Sequence, residues 1–117
     1  EDQEQTARAR NLLLAVERKG EQALVLVGVV LETFWVMRSI YGYEREDVGD
    51  VLASLLALSA VQIEHADAVA RAVNRYRRAG DFPDLLFVEL ARDLGADAFA
   101  TFDKKLLPLA DGFAVEA

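Results

Sequence analysis

Residues 79–105 read AGDFPDLLFVELARDLGADAFATFDKK, and this stretch decides the fold. Asp81 is a good N-cap, Pro83 is tolerated in a first turn, and Gly95 follows the last apolar-periodic residue, so DFPDLLFVELARDLG reads as a helix. AFAT then reads as a short strand. The same stretch raises a chemical question. Asp81 and Asp84 stand at the mouth of the helix and Asp103 follows the strand. A carboxylate near a core costs free energy unless something pairs with it.

Upstream, EQTARARNLLLAVERKG has apolar residues at helical spacing and stops at Lys19 and Gly20. ALVLV is a short β-branched run that reads as a buried strand. After Gly28, VVLETFWVMRSIYG is too long for a strand and can be capped by Gly42, so it reads as a helix. EREDVGDVLASLLALS repeats apolar residues at i, i+3, i+4 and i+7 and predicts a third helix. VQIE is a second strand, and DAVARAVNRYRRAG a fourth helix ending at Gly80. Downstream of AFAT, DKKLLPL makes at most a helical turn and GFAV a last strand. Strands alternate with helices, which predicts an α/β fold with a mostly parallel sheet covered on both faces. The chain opens on a helix and supplies only these four strands, so a first strand is expected to be missing from this sequence.

The composition sets the class. At 117 residues, 53% apolar and 28% charged, the chain is one domain able to bury a core. It has no cysteine, which excludes disulfides and thiolate chemistry and fits a cytoplasmic setting. No uncharged apolar run reaches the roughly 18 residues of a membrane span. The net charge of −7 disfavours a passive nucleic-acid coat and suits divalent cations or a basic partner.

In a parallel α/β sheet, helix N-termini lie at the same edge as the C-terminal ends of the strands, where ligands bind. Asp81, Asp84, Asp103 and Glu32, which lies near the start of the helix after ALVLV, are therefore expected at one edge. Converging carboxylates repel unless a cation sits among them, and an all-oxygen set suits Mg²⁺ or Mn²⁺. Such ions activate water in phosphodiester cleavage. Each acid also has a plainer role: Asp81 as N-cap, Asp84 as a dipole-favoured acid in the first turn, Asp103 as cap of the turn DKKLL. Glu32 lies in the apolar run VLETFWV and is expected to be buried, where only function or a partner would justify it.

VVLETFWVMRSIYGYEREDV followed by GDFPDLLFVELARDLGADAFATFDKKL resembles the PIN-domain ribonucleases, most closely the VapC-type toxins of bacterial toxin–antitoxin pairs. The resemblance covers essentially the whole chain. It implies a metal-dependent endoribonuclease that cuts tRNA or ribosomal RNA and halts translation. It also implies a homodimer silenced by a small antitoxin. Position by position, Glu32, Asp84 and Asp103 match the family's acidic metal site, Asp81 the extra acid of DFxD members, acting directly or through water, and Thr101 the small hydroxyl residue of TxD. The family begins with a central strand ending in an Asp, which nothing here matches. About 10–20 residues are therefore expected to be absent, since the sheet would otherwise lack a buried central strand. A catalytically silent PIN-like interaction domain is the alternative, and a phosphoacceptor receiver domain a weaker third reading.

Arg75, Arg77 and Arg78 crowd into RYRRAG, either as a solvated helix end or as RNA-phosphate contacts. Lys104 and Lys105 pose the same choice beside the acids. Phe34, Trp35, Met37 and Tyr41 cannot all face one core, so some are expected to form a dimer or antitoxin surface. His65 reads as a surface residue. Gly49 interrupts a good helix at a cost of about 1 kcal/mol relative to Ala, for no reason visible in the sequence.

Overall fold

A computed structural model describes residues 2–95, 97–101, 104–105, 108 and 114–116. Its elements run α1 (Asp2–Arg18), β1 (Ala23–Val25), α2 (Val27–Ser39), α3 (Arg45–Ala57), β2 (Val61–Ile63), α4 (Ala66–Arg78), α5 (Phe82–Asp93), β3 (Phe99–Thr101) and β4 (Ala114–Glu116). Helices and strands thus fall where the apolar spacing predicts them. The stretch DKKLLPL lies largely outside the described residues.

The α/β class and the parallel pairing hold. The strands form two parallel pairs, β1–β2 with Ala23 opposite Val61 and β3–β4 with Phe99 opposite Ala114. The expectation of a sheet covered on both faces is corrected for the first pair. Val61 and Ile63 of β2 are buried, but Gln62 is exposed and Leu24 of β1 is 60% exposed. Among the described residues, only one face of this pair packs on the core. Side chains alternate across a strand, so Leu24 and Gln62 share the open face.

The core is built by helices. α4 buries Ala68, Val69, Ala72, Val73 and Tyr76 on one stripe, which its arginines flank, Arg71 and Arg75 toward α5 and Arg77 toward α3. α5 buries Phe82, Leu85, Leu86, Val88 and Glu89. α2 contributes Val30, Phe34 and Met37, at i, i+4 and i+7. The rings of Phe34, Tyr76 and Phe82 meet with centroids 5.2 to 5.9 Å apart. Each fully buried Leu or Phe contributes roughly 1.5–3 kcal/mol of transfer free energy.

Two devices fix the helix ends that matter most. The carboxylate of Glu64, just past β2, accepts from the Val27 N–H at 2.9 Å and so satisfies a free donor at the start of α2. Arg45, at the start of α3, donates from Nη1 to the carbonyls of Tyr76 and Gly80 at 2.7 and 2.8 Å. Its guanidinium carbon also lies 4.4 Å from the centre of the Tyr76 ring. Arg45 therefore closes the end of α4 and holds the tight turn into α5. Gly80 supplies the φ of +99° which that turn requires.

Gly49 has a packing reason. It is buried in α3, and a Cβ there would stand 3.0 Å from Cγ and 3.1 Å from Cζ of Arg77 on α4. The missing side chain lets the Arg77 stem cross α3 and reach Asp50 at 3.0 Å.

Candidate active site

The turn into α5 brings Asp81 and Asp84 together. Asp81 has extended backbone angles, and its Oδ2 accepts from the Asp84 N–H at 3.4 Å, a long cap bond. Pro83 follows in the first turn, where its missing N–H costs nothing. Asp81 is exposed and Asp84 half-buried. Both carboxylates therefore sit at the positive end of the helix dipole, where anions are favoured. The capping role expected of Asp81 is observed.

Glu32 is placed differently from expectation. It is exposed, not buried, so its apolar neighbours in sequence exact no desolvation cost. The reason is helical phase. The buried stripe of α2 is Val30, Phe34 and Met37, and Glu32 projects away from it into the space between α2 and α3. Among the described residues, no three acidic or histidine side chains are close enough together to share one metal ion. Asp103 lies outside the described residues. Thr101 ends β3. Lys104 and Lys105 are exposed.

The buried acid is Glu89, 5% exposed. Its carboxylate accepts from Arg71 Nε at 2.8 Å and Arg75 Nη1 at 3.0 Å, and Arg71 also pairs with Asp93. Burial alone would push the Glu89 carboxyl up. Hydrogen bonds from Arg71 and then Arg75, with the charges of both, outweigh it and hold the group below the ordinary carboxylate range. Sequence reasoning missed this clamp. The signal was present as a matched pair of spacings: Arg71 and Arg75 at i, i+4 on one helix, Glu89 and Asp93 at i, i+4 on the next.

Of the three arginines of RYRRAG, Arg75 is thus tied to Glu89 and Arg77 to Asp50, while Arg78 is exposed. The aromatic run of α2 divides as its phase requires. Phe34 and Met37 are buried, and Trp35 and Tyr41 are 59% and 49% exposed. His65 is exposed as expected and has a φ of +53° at the start of α4.

Two adjoining depressions between α2 and α3, of about 460 and 370 Å³, share Val29, Thr33 and Val51. One extends to Leu55 and Leu58, the other to Glu32 and Tyr41. Together they make a mostly apolar groove whose lining carries two carboxylates, Glu32 and Asp50. Among the described residues, no helix is long and apolar enough to cross a membrane.

Comparison with known proteins agrees with this architecture. A VapC ribonuclease of Aquifex aeolicus (strain VF5) is 26% identical over 95 residues, covering 80% of this chain and 70% of that protein. No solved structure matches the chain. The PIN domain family model matches residues 1–111, and the chain belongs to that family.

Proposed function

We propose that this PIN-domain chain is a VapC-type endoribonuclease that depends on Mg²⁺ or Mn²⁺, cuts RNA of the tRNA or ribosomal class in the cytoplasm, and is neutralised by a small antitoxin. The observation that carries the reading is the pair of carboxylates, Asp81 and Asp84, held in one helical turn of a PIN-family chain. Their donors are all oxygen, the chemistry a hard cation selects. Asp84, Asp103 and Glu32 would hold the ion, with Asp81 beside them directly or through water, and Thr101 would help arrange the group. A divalent cation held there would supply activation of water and stabilisation of charge developing on the scissile phosphate.

The chain's own groups do the rest. The Asp84 N–H, bonded to Asp81, and the dipole of α5 help hold both carboxylates at the turn. Arg45 fixes the turn that carries them through the Gly80 carbonyl. Lys104 and Lys105 would meet RNA phosphates near the acids. The apolar α2–α3 groove suits the amphipathic helix of an antitoxin, read at i, i+3 and i+4 spacing. The exposed Trp35 suits a homodimer contact.

A catalytically silent PIN-like interaction domain is favoured by one observation: Asp81 serves as a cap whether or not a metal binds. Cleavage of a mixed RNA substrate in Mn²⁺, with EDTA and Asp84→Asn as controls, separates the two. The ribonuclease reading expects cutting that both controls abolish. A folded chain that neither cuts RNA nor binds Mn²⁺ would make the silent domain the correct reading.

A further inference from the structure

We propose that the cleft between α4 and α5 is a preformed anion groove that seats the phosphate backbone of an RNA strand. The choice of RNA rests on the ribonuclease reading above. The groove is about 410 Å³ and is lined by Arg71, Asn74, Arg75, Arg78, Glu89 and Arg92. Four of the chain's thirteen basic residues thus face one cleft of a molecule whose net charge is −7. Such segregation of charge focuses a polyanion onto one place that the rest of the surface repels.

The buried Glu89 supplies the preorganisation. It fixes Arg71 through Nε and Arg75 through Nη1, and Asp93 fixes Arg71 a second time. A guanidinium has five N–H donors, so Arg71, engaged through Nε and Nη2, keeps others for a ligand. Arginines held in place before the ligand arrives lose less side-chain entropy on binding. Their planar fork also matches phosphate oxygens in pairs.

A purely structural clamp between the helices would need only Arg71, Arg75, Glu89 and Asp93. Asn74 and Arg78 take no part in those pairs, yet line the same cleft. The cleft is lined by four arginines and one carboxylate, Glu89, with Asp93 beside it on Arg71. Its position also fits the chemistry. Arg78 ends α4, and only Ala79 and Gly80 separate it from Asp81. A strand lying along the cleft is therefore delivered to the acid-bearing turn. Arg77, which the sequence groups with its neighbours, is excluded because it crosses α3 to Asp50.

The test measures binding of a labelled single-stranded oligoribonucleotide to the full chain in EDTA, by fluorescence anisotropy at several salt concentrations. The wild type is compared with Arg78→Gln, Arg78→Gln/Arg92→Gln and, as a control on the exposed end of α1, Lys19→Gln. Each lost phosphate contact should lower the slope of log affinity against log salt by about 0.7. Affinity should fall several-fold for Arg78→Gln, with melting unchanged, and further for the double variant, while Lys19→Gln stays as wild type. Unchanged affinity and slope in the arginine variants would overturn the groove. So would an equal loss in Lys19→Gln. A wild type that binds RNA in this way yet neither cuts it nor binds Mn²⁺ would refute the ribonuclease reading alone. Cutting with arginine variants that bind normally would refute the groove alone.

Discussion

Glu32 on α2 and Glu89 on α5 both sit among apolar neighbours in sequence, yet one faces the α2–α3 groove and the other is sealed between two arginines. The difference lies in helical phase and in what the facing helix offers. Glu89 shares a stripe with Leu85 and Leu86 that packs on α4, and α4 presents Arg71 and Arg75 at the matching height. Glu32 lies off the stripe that α2 buries. A buried acid with two guanidiniums is explained by structure. Among the described residues Glu32 has no hydrogen-bonded or ion-paired partner, which leaves its carboxylate available for function.

This contrast can be broken from the Glu89 side first. Glu89→Gln keeps the shape but removes the buried carboxylate that Arg71 and Arg75 share, leaving Asp93 as the acid still paired with Arg71. Hydrogen bonds to charged groups contribute about 1.5–3 kcal/mol, and urea unfolding should show a loss of that order. The acid limb of the stability profile sharpens the point. The folded-state pKa of Glu89 lies below its ordinary value of 4.5. Its contribution is therefore complete above that value and is lost as pH falls through the lower folded value. Unfolding at a series of pH values should show a shallower acid decline in Glu89→Gln than in the wild type.

The cap at α5 should matter less. Asp81→Ala removes a long cap bond and should cost about 0.5–1 kcal/mol by thermal melting. Gly49→Ala is expected to be smaller still. A buried helical Gly→Ala ordinarily gains up to about 1 kcal/mol. Here the new methyl meets the Arg77 stem, and the gain should vanish unless Arg77→Ala is made with it. Glu32→Gln should change stability by less than about 0.5 kcal/mol.

Much of this was legible in the sequence. The DFPD start, Gly80 and Gly95 mark the limits of α5 because caps and left-handed turns are local requirements. The division of Phe34 and Met37 from Trp35 follows from spacing alone. Other features needed the third dimension. The burial of Glu32 was inferred from its neighbours in sequence, but a helix flanked on one side buries only one stripe. Gly49 made no sense until Arg77 was seen crossing it. The α4–α5 groove depends on two helices meeting, and Arg71 and Arg92 carry no local mark of it. The acids reach the same limit. Asp81 and Asp84 are joined by one turn, whereas bringing in Glu32 or Asp103 depends on long-range packing.

The most direct test sets the two glutamates against each other, with thermal melting and Mn²⁺-dependent RNA cleavage measured on Glu32→Gln and Glu89→Gln. The account predicts that Glu32→Gln melts as the wild type does. Its cleavage should fall by more than the roughly 10–100-fold typical of losing an outer-shell partner of a metal ligand. Glu89→Gln should melt earlier and, where it remains folded, still cut saturating RNA, with weaker RNA binding because the α4–α5 arginines lose their shared carboxylate. A Glu32→Gln variant that cuts at the wild-type rate would contradict the account.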